Sequence, residues 1–184
     1  GDVPVVAMTA NVLGEHREQC LAALCLGLEL AREAAAEGVK AVGTGDMGIA
    51  NTTPSTALYC AYLGLDPEVM TGPGTGLDEK GVVSKAAVLR KGLEANKSAI
   101  ESVDPVDTLT ALGGLEIAAL AGLVIGAAAA GIPVVCDGLI ATAGALIACE
   151  RAPAARNYLF ASHRSVEVGH RFMHEHLGVE PLLD

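Results

Sequence analysis

From Ile117 to Cys136 the chain carries no charged residue, over about the length that crosses a bilayer as a helix. Such a run is either a membrane span or a helix and strand buried inside a protein. Gly131-Ile132-Pro133 favours the second outcome, because proline and the residue before it interrupt a helix. The run is rich in Ala and Gly, hence only weakly hydrophobic, and it has no flanking Lys or Arg to anchor it at the headgroups. The rest of the chain must therefore cover it.

At 184 residues the chain is long enough to do so as one domain. Hydrophobic residues make up 51% of it but aromatic ones only 3%. The rings are Tyr59, Tyr62, Tyr158, Phe160 and Phe172, so the core must come from Ala, Val, Leu and Ile. That composition suits closely packed helices on buried parallel strands. A formal net charge of −10 speaks against a nucleic-acid surface, which needs clustered Lys and Arg. It leaves room for a small anion held by backbone N–H groups. Cys20, Cys25, Cys60, Cys136 and Cys149 include no C-x-x-C pair and read as small buried hydrophobes in a reducing compartment. No signal peptide is read at the N-terminus, and Gly1 in place of Met points to a trimmed or partial chain. A cytoplasmic location is expected.

Periodicity predicts alternating elements. Val3 to Met8 is a short apolar strand candidate. Glu15 to Glu37 has helical spacing and ends at Gly38. A strand over Val39 to Gly45 comes next, then a helix with Thr53 as N-cap and Pro54 at the first position, running to Leu63 before Gly64. Helices are also predicted over Glu79 to Asn96, from Asp104-Pro105 to Gly113-Gly114, over Leu115 to Ala130, over Gly138 to Cys149 and over Ser165 to Leu177, with Ser165 as N-cap. Strands are expected at Ile132 to Cys136 and Tyr158 to Ala161. Short apolar strands between helices predict an α/β fold: a three-layer, mostly parallel, Rossmann-like sheet flanked by helices. In such sheets ligands sit beyond the carboxyl ends of the strands. Here those ends carry Gly43 to Thr53, Asp137-Gly138 and Ser162-His163-Arg164-Ser165.

Several of these segments have the residue types of an anion site. Gly43-Thr44-Gly45-Asp46-Met47-Gly48 matches G-x-G-x-x-G, but a dinucleotide fold would start its helix inside the motif. A dinucleotide-dependent oxidoreductase is the weaker alternative. Asn51, Thr52 and Thr53 place an amide, hydroxyls and free N–H groups at a helix N-terminus, which suits phosphate. The glycines Gly72, Gly74 and Gly76 would let the following loop curl its N–H groups around an anion, with Lys85 as a point charge; the plainer reading is a surface turn and a solvated lysine. Ser162 and Ser165 could hold a phosphate or a ribose hydroxyl. There is no G-x-x-x-x-G-K-[ST] loop. His170, His174 and His176 lack the H-E-x-x-H order and read as surface helix residues rather than metal ligands. Glu116, alone in an apolar helix, is either functional or a cap at the helix mouth.

Gly45-Asp46-Met47-Gly48-Ile49-Ala50-Asn51-Thr52-Thr53-Pro54 resembles the signature of the cobamide lower-ligand phosphoribosyltransferases, the nicotinate-nucleotide:5,6-dimethylbenzimidazole family. The resemblance continues through Gly72-Pro73-Gly74-Thr75-Gly76-Leu77-Asp78, Asp104-Pro105 to Glu116, Pro133 to Gly138, Ser162 to Ser165, and Glu180 to Asp184. It implies an inverting displacement at C1′ of nicotinate mononucleotide by a benzimidazole-type nitrogen, giving α-ribazole phosphate and nicotinate for cobalamin biosynthesis. It assigns Gly45, Gly48, Asn51, Thr52, Thr53, Gly72, Gly74, Gly76, Lys85, Asp137, Gly138, Ser162 and Ser165 to the substrate site. It implies a homodimer, no metal and no redox cofactor.

Two departures from the family pattern stand out. Asp46 replaces the family's usual Glu, one methylene shorter, and is the candidate base or substrate-orienting group. The family's N-terminal region, and a C-terminal segment with the general-base Glu, are expected to lie outside these residues. The chain is then a partial one or half of a split enzyme, and a nucleotide-binding module without turnover is the main alternative.

Overall fold

The computed structural model describes residues 14–47, 49–72, 76 and 78–183. The predicted strand over Val3 to Met8 lies outside them. In chain order the elements are α1 (Gly14–Ala36), β1 (Val42–Thr44), α2 (Thr52–Leu63), α3 (Pro67–Met70), α4 (Glu79–Ala95), α5 (Lys97–Ile100), α6 (Pro105–Leu112), α7 (Leu115–Ala129), β2 (Val134–Cys136), α8 (Gly138–Arg151), a 3-10 turn (Pro153–Tyr158), β3 (Leu159–His163), α9 (Val168–Leu177) and β4 (Pro181–Leu183).

The four strands form one parallel sheet in the order β1-β2-β3-β4, flanked by helices. Val42 pairs with Val134 and Val134 with Leu159; Thr44 pairs with Cys136, Cys136 with Ala161, and Ala161 with Pro181. The described strands therefore all point the same way, and crossover connections join them. The segments that follow β1, β2 and β3 leave from one edge. The expected convergence of the strand ends is thus a consequence of register.

The uncharged run folds as α7, then Gly131 in a left-handed conformation (φ 72°), then β2. Small residues let the helices around it approach closely. A Cβ added at Gly122 would collide with the Leu24 carbonyl oxygen, and one at Gly27 would collide with that of Ala119. Both positions fall far inside van der Waals contact, so α1 and α7 meet backbone to backbone. Every residue of α8 from Leu139 to Cys149 is buried, which is why that helix is apolar all round. Among the described residues no helix is long and apolar enough to cross a membrane.

Several ends fall where the sequence put them. Gly64 closes α2 with φ 63°, and Asp104 caps α6 through Val106 N–H with Pro105 following. Others differ. Asn51, not Thr53, is the N-cap of α2, so Pro54 sits deeper in the first turn, where a missing N–H still costs no helical bond. Ser165 does not cap α9; that position belongs to Glu167. Strand β1 is shorter than expected and β3 runs on to His163. The short elements α3, α5 and β4 and the 3-10 turn are additions that periodicity does not show. Cys25 is exposed while the other four cysteines are buried. His170 and His174 are buried, not on the surface.

Candidate functional site

Each strand end contributes one group of polar side chains. After β1, Asp46 is exposed and its Oδ1 accepts from Asn51 Nδ2 at 2.5 Å. Asn51 is buried, and its Oδ1 has no partner among the described residues. Its side chain makes no capping bond to α2, which leaves the first turn of that helix, with Thr52 and Thr53, to be satisfied from elsewhere. Lys85 comes from α4 to this turn. It is buried, and its Nζ donates to Thr52 Oγ1 at 3.1 Å. Burial pushes the Lys85 ammonium below its ordinary range, and the nearby Glu167 opposes that.

After β2, the Asp137 N–H donates to the Thr44 carbonyl at 2.9 Å, which ties the β1 and β2 ends together. Gly138 turns sharply into α8 with φ 85°, a left-handed conformation that disfavours other residues. Asp137 Oδ1 accepts a short bond from the Ser162 hydroxyl and lies 2.8 Å from His163 Nδ1. Ser162 Oγ and His163 Nδ1 are themselves 2.9 Å apart. The bonds from Ser162 and then His163 hold the Asp137 carboxyl below the usual carboxylate range. Gly45 borders the same group: a Cβ there would stand 4.0 Å from Asp137 Oδ2.

The loop after β3 turns partly inward. Ser165 N–H donates to His170 Nδ1 at 3.1 Å, and Ser165 Oγ accepts from Glu167 N–H at 3.2 Å. The Ser165 N–H is thus taken by His170 and points away from any anion at the strand ends. The Glu167 carboxylate lies against Gly72, where a Cβ would run into it. Gly72 is thereby brought beside the β3 loop and the Lys85 neighbourhood. Gly76 is exposed with φ 115° and sits in a turn. Gly48 and Gly74 lie outside the described residues.

The structure thus brings Gly45, Asp137, Gly138 and Ser162 together, with Asp46, Asn51, Thr52, Thr53 and Lys85 grouped at the neighbouring strand end. Carboxylates line the edge (Asp46, Asp137 and Glu167), and Glu167 is the one shown to act on the buried Lys85 ammonium. Such a surface can hold an anion on Lys85 and helix N–H groups while its carboxylates accept from hydroxyls.

Sequence reading misses His163, Glu167 and the buried set Thr142, His170 and His174. A signal for the last is present. His170, Met173, His174 and Leu177 fall at helical spacing on one stripe, and the structure buries all four. Thr142 is the only hydroxyl in α8.

A family model described as "Phosphoribosyltransferase" matches residues 7–184. A protein of Solidesulfovibrio magneticus named nicotinate-nucleotide--dimethylbenzimidazole phosphoribosyltransferase is 58% identical over 183 residues, covering 98% of this chain and 52% of its own length. A Geobacter sulfurreducens protein of the same name is 51% identical over 168 residues, covering 91% and 47%. Among solved structures, CobT from Thermus thermophilus superposes with a TM-score of 0.85 at 43% identity, covering 91% of this chain and 50% of that one. The chain spans about half the length of the curated relatives it matches.

Proposed function

The chain belongs to this phosphoribosyltransferase family, and from that premise we propose that the protein carrying it moves the phosphoribosyl group of nicotinate mononucleotide to 5,6-dimethylbenzimidazole or a related base. The products are α-ribazole phosphate and nicotinate, in cobalamin biosynthesis. The incoming nitrogen forms a bond to C1′ as the bond to nicotinate breaks, and the base then gives up its imidazole proton.

The observation that carries this reading is the joining of neighbouring strand ends: Asp137, just after β2, holds Ser162 and His163 at the end of β3, beside Gly45. In this proposal Lys85 and the first turn of α2 take the phosphate, a buried ammonium at a helix N-terminus being suited to a dianion. The Asp137 carboxylate and the Ser162 oxygen, whose hydrogen is on Asp137, accept from the ribose hydroxyls. Asp46, exposed and bonded to Asn51, is the candidate base or the group that orients the acceptor. Such a displacement gains chiefly from holding both reactants in line.

The 184 residues read as one α/β domain, supported by a single cluster of buried residues that runs from α1 to α9. We read the protein as a cytoplasmic homodimer. Leu26 and Leu30, one turn apart on α1 and about half exposed, suit a subunit contact.

The test is incubation with nicotinate mononucleotide and 5,6-dimethylbenzimidazole, followed by chromatography. A riboside phosphate product is expected. Calorimetric binding of the nucleotide without product would replace the enzyme by a binding module. Binding of NADH with neither would favour an oxidoreductase.

A further inference from the structure

His170 is fully buried, and its hydrogen bonds have only one consistent direction. Ser165 N–H can only donate, so His170 Nδ1 must accept. A neutral ring then carries its proton on Nε2, which lies 2.9 Å from Thr142 Oγ1. The Thr142 hydroxyl passes its own hydrogen to the Gly138 carbonyl at 2.8 Å. The path runs from the loop after β3, through α9, to the first turn of α8 beside Asp137. It joins the two segments whose side chains meet at Asp137 and Ser162.

We infer that His170 is a positioning residue: as a neutral ring with its proton on Nε2, it clamps the Ser165 loop to the start of α8 and so keeps Ser162 on Asp137. A charged ring could not do this, because a proton on Nδ1 would face the Ser165 N–H. The groups around the ring are His174 on α9, tilted by 53° at 4.0 Å between centroids, His163 at the end of β3, and Asp137 just after β2. Burial, together with His174 and His163, drives the ring's pKa down to about 3, with Asp137 opposing. His174 is likewise pushed down by burial and by Arg164. The kinetic consequence of the clamp rests on the nucleotide reading above, whereas the clamp itself does not.

The first measurement is a ring-nitrogen NMR spectrum of the protein at pH 7. A neutral Nε2–H ring is expected, and a charged or Nδ1–H ring overturns the inference. The second compares His170→Leu with His170→Gln, which keeps one acceptor and one donor. The Leu variant should raise the KM for nicotinate mononucleotide about tenfold, with kcat within about threefold, and the Gln variant should recover most of the loss. A folded Leu variant with unchanged KM, or a Gln variant as impaired as the Leu one, overturns it. If the wild-type protein transfers nothing, the proposed reaction fails on its own. The clamp is then judged by hydrogen exchange at the Ser165 amide, expected to be about tenfold faster in His170→Leu; an unchanged rate overturns it.

Discussion

The α1–α7–α8 body and the strand-end edge obey different rules. In the body, contacts are made by absence: Gly27 and Gly122 have no Cβ, and helices touch through their backbones. At the edge, contacts are made by pairing: Asp137 with Ser162 and His163, Lys85 with Thr52, Asp46 with Asn51. Volume therefore governs the first region, and charge and hydrogen bonding govern the second. A change in one should leave the other's observable alone.

The sharpest attempt to break this contrast is Gly122→Ala. Its methyl group would press on the Leu24 carbonyl, and overpacking of this kind should cost about 3 kcal/mol, read as a lower denaturant midpoint. Nucleotide affinity measured well below the transition should not change; a loss there would mean that the body and the edge are coupled.

The reverse experiment is Lys85→Ala. Removing a charge-assisted contact should weaken nicotinate mononucleotide binding by about 2 kcal/mol with little loss of stability, as measured by calorimetry and thermal unfolding. Unchanged affinity would remove Lys85 from the site.

Acid cuts across the boundary through His170. Its folded pKa of about 3 lies below the ordinary 6.5, so between those values the unfolded chain binds the extra proton. Stability is therefore fully present above pH 6.5 and falls as pH drops toward 3. His170→Gln should flatten that slope, and an identical slope would show that His170 does not set it.

The mildest change is Asp78→Ala at the start of α4. Asp78 Oδ1 accepts from Gly81 N–H at 2.8 Å, and loss of the cap should cost about 1 kcal/mol, seen as fraying of α4 in hydrogen exchange. A larger effect on nucleotide binding than on exchange would place this cap among the edge contacts.

Sequence makes the body more legible than the edge, because runs of Ala, Gly and Leu carry their own periodicity. The uncharged run and its break at Gly131-Ile132-Pro133 are read from composition alone. So are the stops at Gly38 and Gly64, and the Asp104-Pro105 start. The start of α2 reads too late because Thr53-Pro54 imitates a cap and first residue, although proline is tolerated throughout a first turn. Elements of three or four residues, such as α5 and β4, are too short to show a period. At the edge, Asp137 and Ser162 are separate candidates in the sequence. Their meeting depends on the pairing of Cys136 with Ala161, which no local pattern encodes. His170 and His174 read as surface residues only when residue type is weighed above their place on the Met173–Leu177 stripe.

The sequential strand order has a kinetic consequence. Position 134 pairs with 159 on one side and with 42 on the other, so closing the first strand onto the second encloses a much longer stretch of chain. The added closure entropy is only about 1 kcal/mol, but it is lost before any pairing is gained. The later strands should zip first and offer a template edge to which Val42–Thr44 is recruited last. The phosphate-side groups that follow Thr44 would then be the final part of the pocket to be assembled.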